Sequence, residues 1–131
     1  MKIRSITLIV KGYDEALDFY IGKLGFEKVA DRKIAPGMRW VTVAPKGGEE
    51  TVIQFEKAFN PSEKQRIGKQ LGNMLVQIET ENFDETYRTM KEKGIKFVEE
   101  PKVAPWGKQA VFSDLYGNLF DLVEANQGED E

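Results

Sequence analysis

The chain has 131 residues, with 19 Lys and Arg against 22 Asp and Glu, a formal charge of −3, and neither cysteine nor histidine. This composition excludes disulfides, thiolate nucleophiles and Cys-type zinc sites, and it removes the commonest general base and the commonest imidazole metal ligand. No basic stripe interleaved with aromatics marks a nucleic-acid footprint, and no apolar run approaches the roughly 20 residues that span a bilayer. The opening Met1-Lys2-Ile3-Arg4 leads straight into an alternating stretch, so no signal peptide is read there and a cytoplasmic location is expected.

Ser5 to Val10 alternates, with Ile6, Leu8 and Val10 on one face and Ser5, Thr7 and Ile9 on the other, which predicts a half-buried strand. A helix is predicted from Tyr13, with Tyr13, Ala16, Leu17, Tyr20 and Leu24 recurring at helical spacing, acids Asp14 and Glu15 in its first turn, and Gly25 as its C′ residue. Strands are predicted at Phe26–Arg32, Met38–Ala44 and Thr51–Glu56, with turns at Pro36-Gly37 and Pro45-Lys46-Gly47-Gly48. Residues 57–70 read mainly as a linker, in which Asn60-Pro61-Ser62 can start a short helix.

The pattern then repeats. Asn73, Leu75 and Gln77 alternate with Met74, Val76 and Ile78. A helix begins at Phe83, where Phe83, Thr86, Tyr87 and Met90 match Tyr13, Ala16, Leu17 and Tyr20 at an offset of 70 (83 − 13). Gly94 repeats Gly25, and strands are predicted at Ile95–Glu99, Lys108–Asp114 and Leu119–Glu124. One domain over residues 1–125 is expected, with units of about 1–56 and 71–124 and an acidic tail at 126–131. The fold class is α+β, two βαβββ units. Asp114 with Gly117-Asn118 reads as a hairpin turn.

Polar residues interrupt the inner faces at matching places. Ser5 and Asn73 fall at the same point of the first strand of each unit (73 − 5 = 68), and Gln54 and Asp121 at the same point of the last (121 − 54 = 67). A symmetric arrangement of the units would turn all four towards one cleft, and a one-residue slip would turn them away. Face alternation adds Thr7, Trp40, Thr42, Glu56 and Gln77 to that wall, with Gln109 and Ser113 as further additions. Trp106, between Pro105 and Gly107, is a loop anchor or a ligand contact.

The stretches Val10-x3-Asp14-x-Ala16-Leu17-x-Phe19-Tyr20-x3-Leu24-Gly25-Phe26, Pro105-Trp106-Gly107 and Asp114-x2-Gly117-Asn118-x2-Asp121-Leu122-x-Glu124 resemble the vicinal oxygen chelate superfamily, also called the glyoxalase/bleomycin-resistance/dioxygenase family. The resemblance implies a curled mixed sheet around a cleft, commonly completed in a homodimer. It also implies that metal-dependent members would hold a divalent ion at the positions of Ser5, Gln54, Asn73 and Asp121. This chain departs there, with Ser5 and Asn73 at the His-type positions and Gln54 and Asp121 at the Glu-type positions, and with Leu115-Tyr116 where the family often has Pro-Asp.

One carboxylate, two amides and a hydroxyl make a thin ligand set for a catalytic transition metal. Relatives that need two histidines and a carboxylate, extradiol dioxygenases among them, are excluded as templates. The expectation is therefore a metal-independent protein with no cofactor that binds a small molecule, of the resistance or sequestering kind. Its ligand-binding residues would be Thr7, Trp40, Thr42, Gln54, Glu56, Asn73, Gln77, Trp106 and Asp121, and the net charge mildly favours a cationic or neutral ligand. The alternative is a divalent-metal-dependent glyoxalase I-like lyase or isomerase using Asp121, Gln54 and Glu56 as ligands. No catalytic residue is assigned under either.

Overall fold

Strand β1 (Ser5–Val10) sends Ile6, Leu8 and Val10 to one face and Ser5, Thr7 and Ile9 to the other, with its last three residues all buried, and these two faces set the plan of the first sheet. The computed structural model describes residues 1–70, 74–105 and 107–125. The chain forms two compact units, Met1–Gln70 and Leu71–Glu131.

In the first unit, β1 leads into helix α1 (Tyr13–Leu17), which continues as a π-helical stretch, Asp18–Lys23. Strands β2 (Glu27–Ala35), β3 (Met38–Ala44) and β4 (Val52–Lys57) and the short helix α2 (Pro61–Gln65) follow. The second unit runs β5 (Met74–Thr80), α3 (Phe83–Glu92), β6 (Lys96–Ala104), β7 (Gly107–Ser113) and β8 (Leu119–Glu124). Both sheets are mixed and share one topology, β1-β4-β3-β2 and β5-β8-β7-β6. In each, the first and last strands of the unit pair in parallel and the remaining neighbours are antiparallel. The expected α+β class with two βαβββ units is the observed one.

One face of each sheet is covered by its helix. In unit 1, Leu8, Val41, Val43, Ile53 and Phe55 are buried with Ala16 and Tyr20 of the helical segment, and the Tyr20 and Phe55 rings lie 5.2 Å apart. Burial of a side chain the size of Phe55 contributes about 1.5–3 kcal/mol. In unit 2 the same layer is a run of aromatic contacts from Phe83 through Tyr87, Phe97 and Phe112 to Phe120.

The two helical segments differ by one residue. In α3 the N–H of Gly94 bonds to Lys91 and that of Ile95 to Met90, a Schellman closure, with Gly94 at φ +89°. In unit 1 the corresponding bond runs from Phe26 back to Tyr20, one residue further, with Gly25 at φ +86°. The π turn holds that extra residue, so the predicted single α-helix from Tyr13 to Leu24 is corrected. The offset between the units shows the same insertion: it is 70 at the helix start (83 − 13) and 69 at the closing glycine (94 − 25).

Two strands outrun their predicted ends. β2 reaches Ala35 rather than Arg32, and β6 reaches Ala104 rather than Glu99. β6 passes through Pro101 because it lies at the sheet edge, where a missing N–H need not break a ladder, and the β6–β7 register shifts between Glu99 and Lys102. Within the stretch read as a linker, α2 is capped by Asn60. Its side chain accepts the Glu63 N–H at 2.8 Å, while Glu63 Oε1 accepts the Phe59 N–H at 2.8 Å. At the β7–β8 turn only Gly117 adopts positive φ; Asn118 serves instead by donating to Asp114.

Candidate functional site

The face of sheet 1 turned away from the helix carries a row of neutral polar groups. Thr7 on β1 is in register with Gln54 on β4, and Gln54 with Thr42 on β3. Because residues two apart share a face, Ser5, Trp40 and Glu56 belong to it as well. Thr42 is buried, Ser5, Gln54 and Trp40 are half-buried, and Thr7 and Glu56 are exposed. The five residues expected on this wall from unit 1 therefore do share one face, and Ser5 joins them.

In sheet 2 the equivalent row is Gln77, Asp121 and Val111. Gln77 Nε2 donates to Asp121 Oδ2 at 3.2 Å. Asp121 is only 8% exposed, and its Oδ1 is buried without a hydrogen-bond partner among the described residues. A buried polar oxygen left unpaired costs about 1–3 kcal/mol. Gln109 and Ser113 share the face through their pairing with Val123 and Leu119. Asn73 and Trp106 lie outside the described residues.

Asp114, in contrast, is saturated by local structure. Its Oδ1 accepts the backbone N–H groups of Tyr116 and Asn118, and its Oδ2 accepts Asn118 Nδ2, all at 2.9 Å. It is a turn-former, as the sequence indicates.

Three residues absent from the predicted set bear on sheet 1. Arg32 pairs with Trp40 across the β2–β3 ladder, and its Cζ stands 5.9 Å from the indole centroid. Arg4, just ahead of β1, brings its Cζ to 5.8 Å from the same ring. Gln70 clamps the free edge of β1, accepting from the Ile9 N–H at 2.6 Å and donating to the Thr7 carbonyl at 3.0 Å. A tight Pro36-Gly37 turn would by itself set Lys33 opposite Trp40, and the register shift between Lys33 and Ala35, which the sequence does not signal, puts Arg32 there instead. No local pattern points to Arg4 or Gln70.

Among the described residues, two grooves of unit 1 are lined by residues other than Thr7, Gln54 and Thr42. The larger, of about 620 Å³, surrounds Arg39. Arg39 donates to Asp31 through Nε and Nη2 (3.2 and 2.8 Å) and to Asp14 through Nη1 (2.9 Å), so the guanidinium is engaged in a structural clamp. Its hydrogen bonds hold the Asp31 carboxyl below the usual carboxylate range, while Asp31 and Asp14 push the arginine upward. The other, of about 510 Å³, runs between Lys11, Lys57 and Lys64 over Phe59 and Ile67.

At the positions where metal-dependent relatives would hold an ion, the described residues are Ser5, Gln54 and Asp121, a hydroxyl, an amide and one carboxylate. That donor set does not fit a transition-metal centre, which draws on His, carboxylate or thiolate ligands.

Comparison with known proteins agrees with this fold. The family model for the Glyoxalase/Bleomycin resistance protein/Dioxygenase superfamily matches residues 2–122. An uncharacterized protein of Shewanella frigidimarina is 41% identical over 123 residues, covering 92% of this chain and 91% of its own. Among solved structures, UcmS2 superposes with a TM-score of 0.85 at 32% identity, covering 95% of this chain and 98% of its own. TnmS3, described as an antibiotic binding protein from Streptomyces sp. CB03234, does so with a TM-score of 0.78 at 31% identity, covering 95% of each chain.

Proposed function

Because the chain belongs to the glyoxalase/bleomycin resistance protein/dioxygenase superfamily, matched over residues 2–122, we propose that it binds an organic small molecule on the helix-free face of a sheet, without a metal ion. The observation that carries this is Asp121, a buried carboxylate with one oxygen on Gln77 and the other without a partner among the described residues. A ligand O–H or N–H donor would satisfy that oxygen. The neutral row Thr7, Gln54 and Thr42 supplies directional hydrogen bonds without requiring any shift in protonation. The antibiotic-binding relative supports the same class of activity. The donor chemistry supports metal independence over the glyoxalase I-like alternative, in which Asp121, Gln54 and Glu56 would ligate a divalent ion. The homodimer implied by the resemblance is part of the proposal, and light scattering at micromolar concentration tests it.

A thermal-shift screen of polycyclic and aromatic small molecules, run in parallel with chelator and with Ni²⁺, Zn²⁺, Mn²⁺ or Mg²⁺, separates the two readings. Ligand stabilisation indifferent to chelator, and weakened by Gln54→Ala or Asp121→Asn, is the expected result. Stoichiometric metal binding that is lost in Asp121→Asn would overturn the metal-free assignment.

A further inference from the structure

Net charge favours a cationic or neutral ligand, but the local charge around Trp40 has the opposite sign. Two guanidiniums stand within 5.9 Å of the centroid of one indole ring, Arg32 from the neighbouring strand and Arg4 from ahead of β1. Both distances lie within the roughly 6 Å at which a cation is held by an aromatic face. Both side chains are exposed, and among the described residues neither guanidinium donates a hydrogen bond or forms an ion pair. The acid next to Arg32 in sequence does not neutralise it. Asp31 lies on the opposite face, where Arg39 holds it at 2.8 Å. Glu56 shares the open face and forms no ion pair with either arginine among the described residues. Two cations at one ring make the local potential there positive, which favours an anion.

Building on the binding reading above, we propose that the helix-free face of unit 1 takes a planar aromatic anion, a carboxylate or phenolate borne on a fused ring. The guanidinium forks match such an anion in geometry, and their planes stack on aromatic surfaces. The indole supplies the apolar wall, and Thr7 and Gln54 meet the ring's neutral substituents. Arg32 and Arg4 thus select the ligand by charge, and the amide row orients it.

The test is calorimetric titration of the full chain with three probes of one ring system: 2-naphthoate, 2-naphthamide and 2-naphthylmethylammonium. Naphthoate is expected to bind at least tenfold more tightly than the amide, with the ammonium weakest, and the preference should shrink as salt is added. Arg32→Gln and Arg4→Gln should each cut the preference several-fold, and together bring naphthoate within about twofold of the amide, while circular dichroism stays unchanged. Equal or reversed affinities overturn the charge inference and leave the binding proposal standing. So does tight naphthoate binding that neither arginine variant weakens, since the anion then sits elsewhere. Failure of all three probes at millimolar concentration also overturns the inference. The binding proposal is then decided separately by the broad screen, in which a neutral or cationic hit would sustain it.

Discussion

Replacing Asp121 by Asn separates a functional carboxylate from a structural one. The side chain is 8% exposed and receives one hydrogen bond, from Gln77 at the long distance of 3.2 Å, while Oδ1 has no partner among the described residues. Asparagine keeps the shape and, with its oxygen towards Gln77, keeps that bond. It also removes a carboxylate whose burial is only half compensated. An unsatisfied buried acceptor costs about 1–3 kcal/mol, and the amide in its place remains unpaired, so a net gain of about 1 kcal/mol is expected. For a chain of this size that is a rise in Tm of about 3–5 °C, accompanied by weaker ligand binding, the signature of a site held for function at some expense of stability. The control is Asp114→Asn. There the carboxylate accepts three bonds at 2.9 Å, and an amide must turn its NH2 group either on two backbone N–H donors or on the Asn118 amide. This variant should lose about 2–3 kcal/mol. Urea denaturation of the two variants beside the parent reads both values. If Asp121→Asn loses more than about 1 kcal/mol, Asp121 is a structural residue and the argument for a site around it fails.

Other outcomes follow from the same contacts. Gln70→Ala should cost about 1–2 kcal/mol and raise hydrogen exchange at the Ile9 amide, because both side-chain bonds to the β1 edge are lost; unchanged Ile9 protection would show that the clamp is dispensable. Asn60→Ala removes the α2 cap and should cost about 1 kcal/mol, measured by chemical denaturation. Because the Arg39 hydrogen bonds depress the folded-state pKa of Asp31, its contribution is fully present above the unfolded value near 4 and is lost as pH falls through the lower folded value. Asp31→Asn should therefore flatten the acid limb of the stability profile, and an unaltered acid slope would count against this account.

The helix-free faces were legible because successive side chains of a strand point to opposite faces. Once β1 was recognised from Ser5 to Val10, the parity of Thr7 decided its side, and the same rule carried Thr42, Gln54, Gln77 and Asp121 to theirs. Periodicity failed where the backbone gained or lost a residue. The π turn shifts the closure of the first helix from Ile21 to Tyr20, and the predicted strand stops at Glu99 whereas β6, an edge strand, runs on through Pro101. Helical spacing of apolar residues cannot register a single widened turn, and a proline cannot announce which strand lies beside it.

Selectivity was the least legible property, for a different reason. Alternation assigns a side chain to a face by its Cβ, but an arginine reaches well beyond its own strand and places its charge far from its Cα. Arg4 stands 36 positions before Trp40 and outside any strand, yet its charge lies over that ring. The net charge of −3 averages such a placement away. Asp31 points one way and is consumed by Arg39; Arg32, the next residue, points the other and keeps its charge. A pair of neighbours that looks neutral in sequence is thereby split between two faces of the sheet. Ligand charge must therefore be judged face by face, and on the helix-free face of unit 1 the charges at Trp40 are positive.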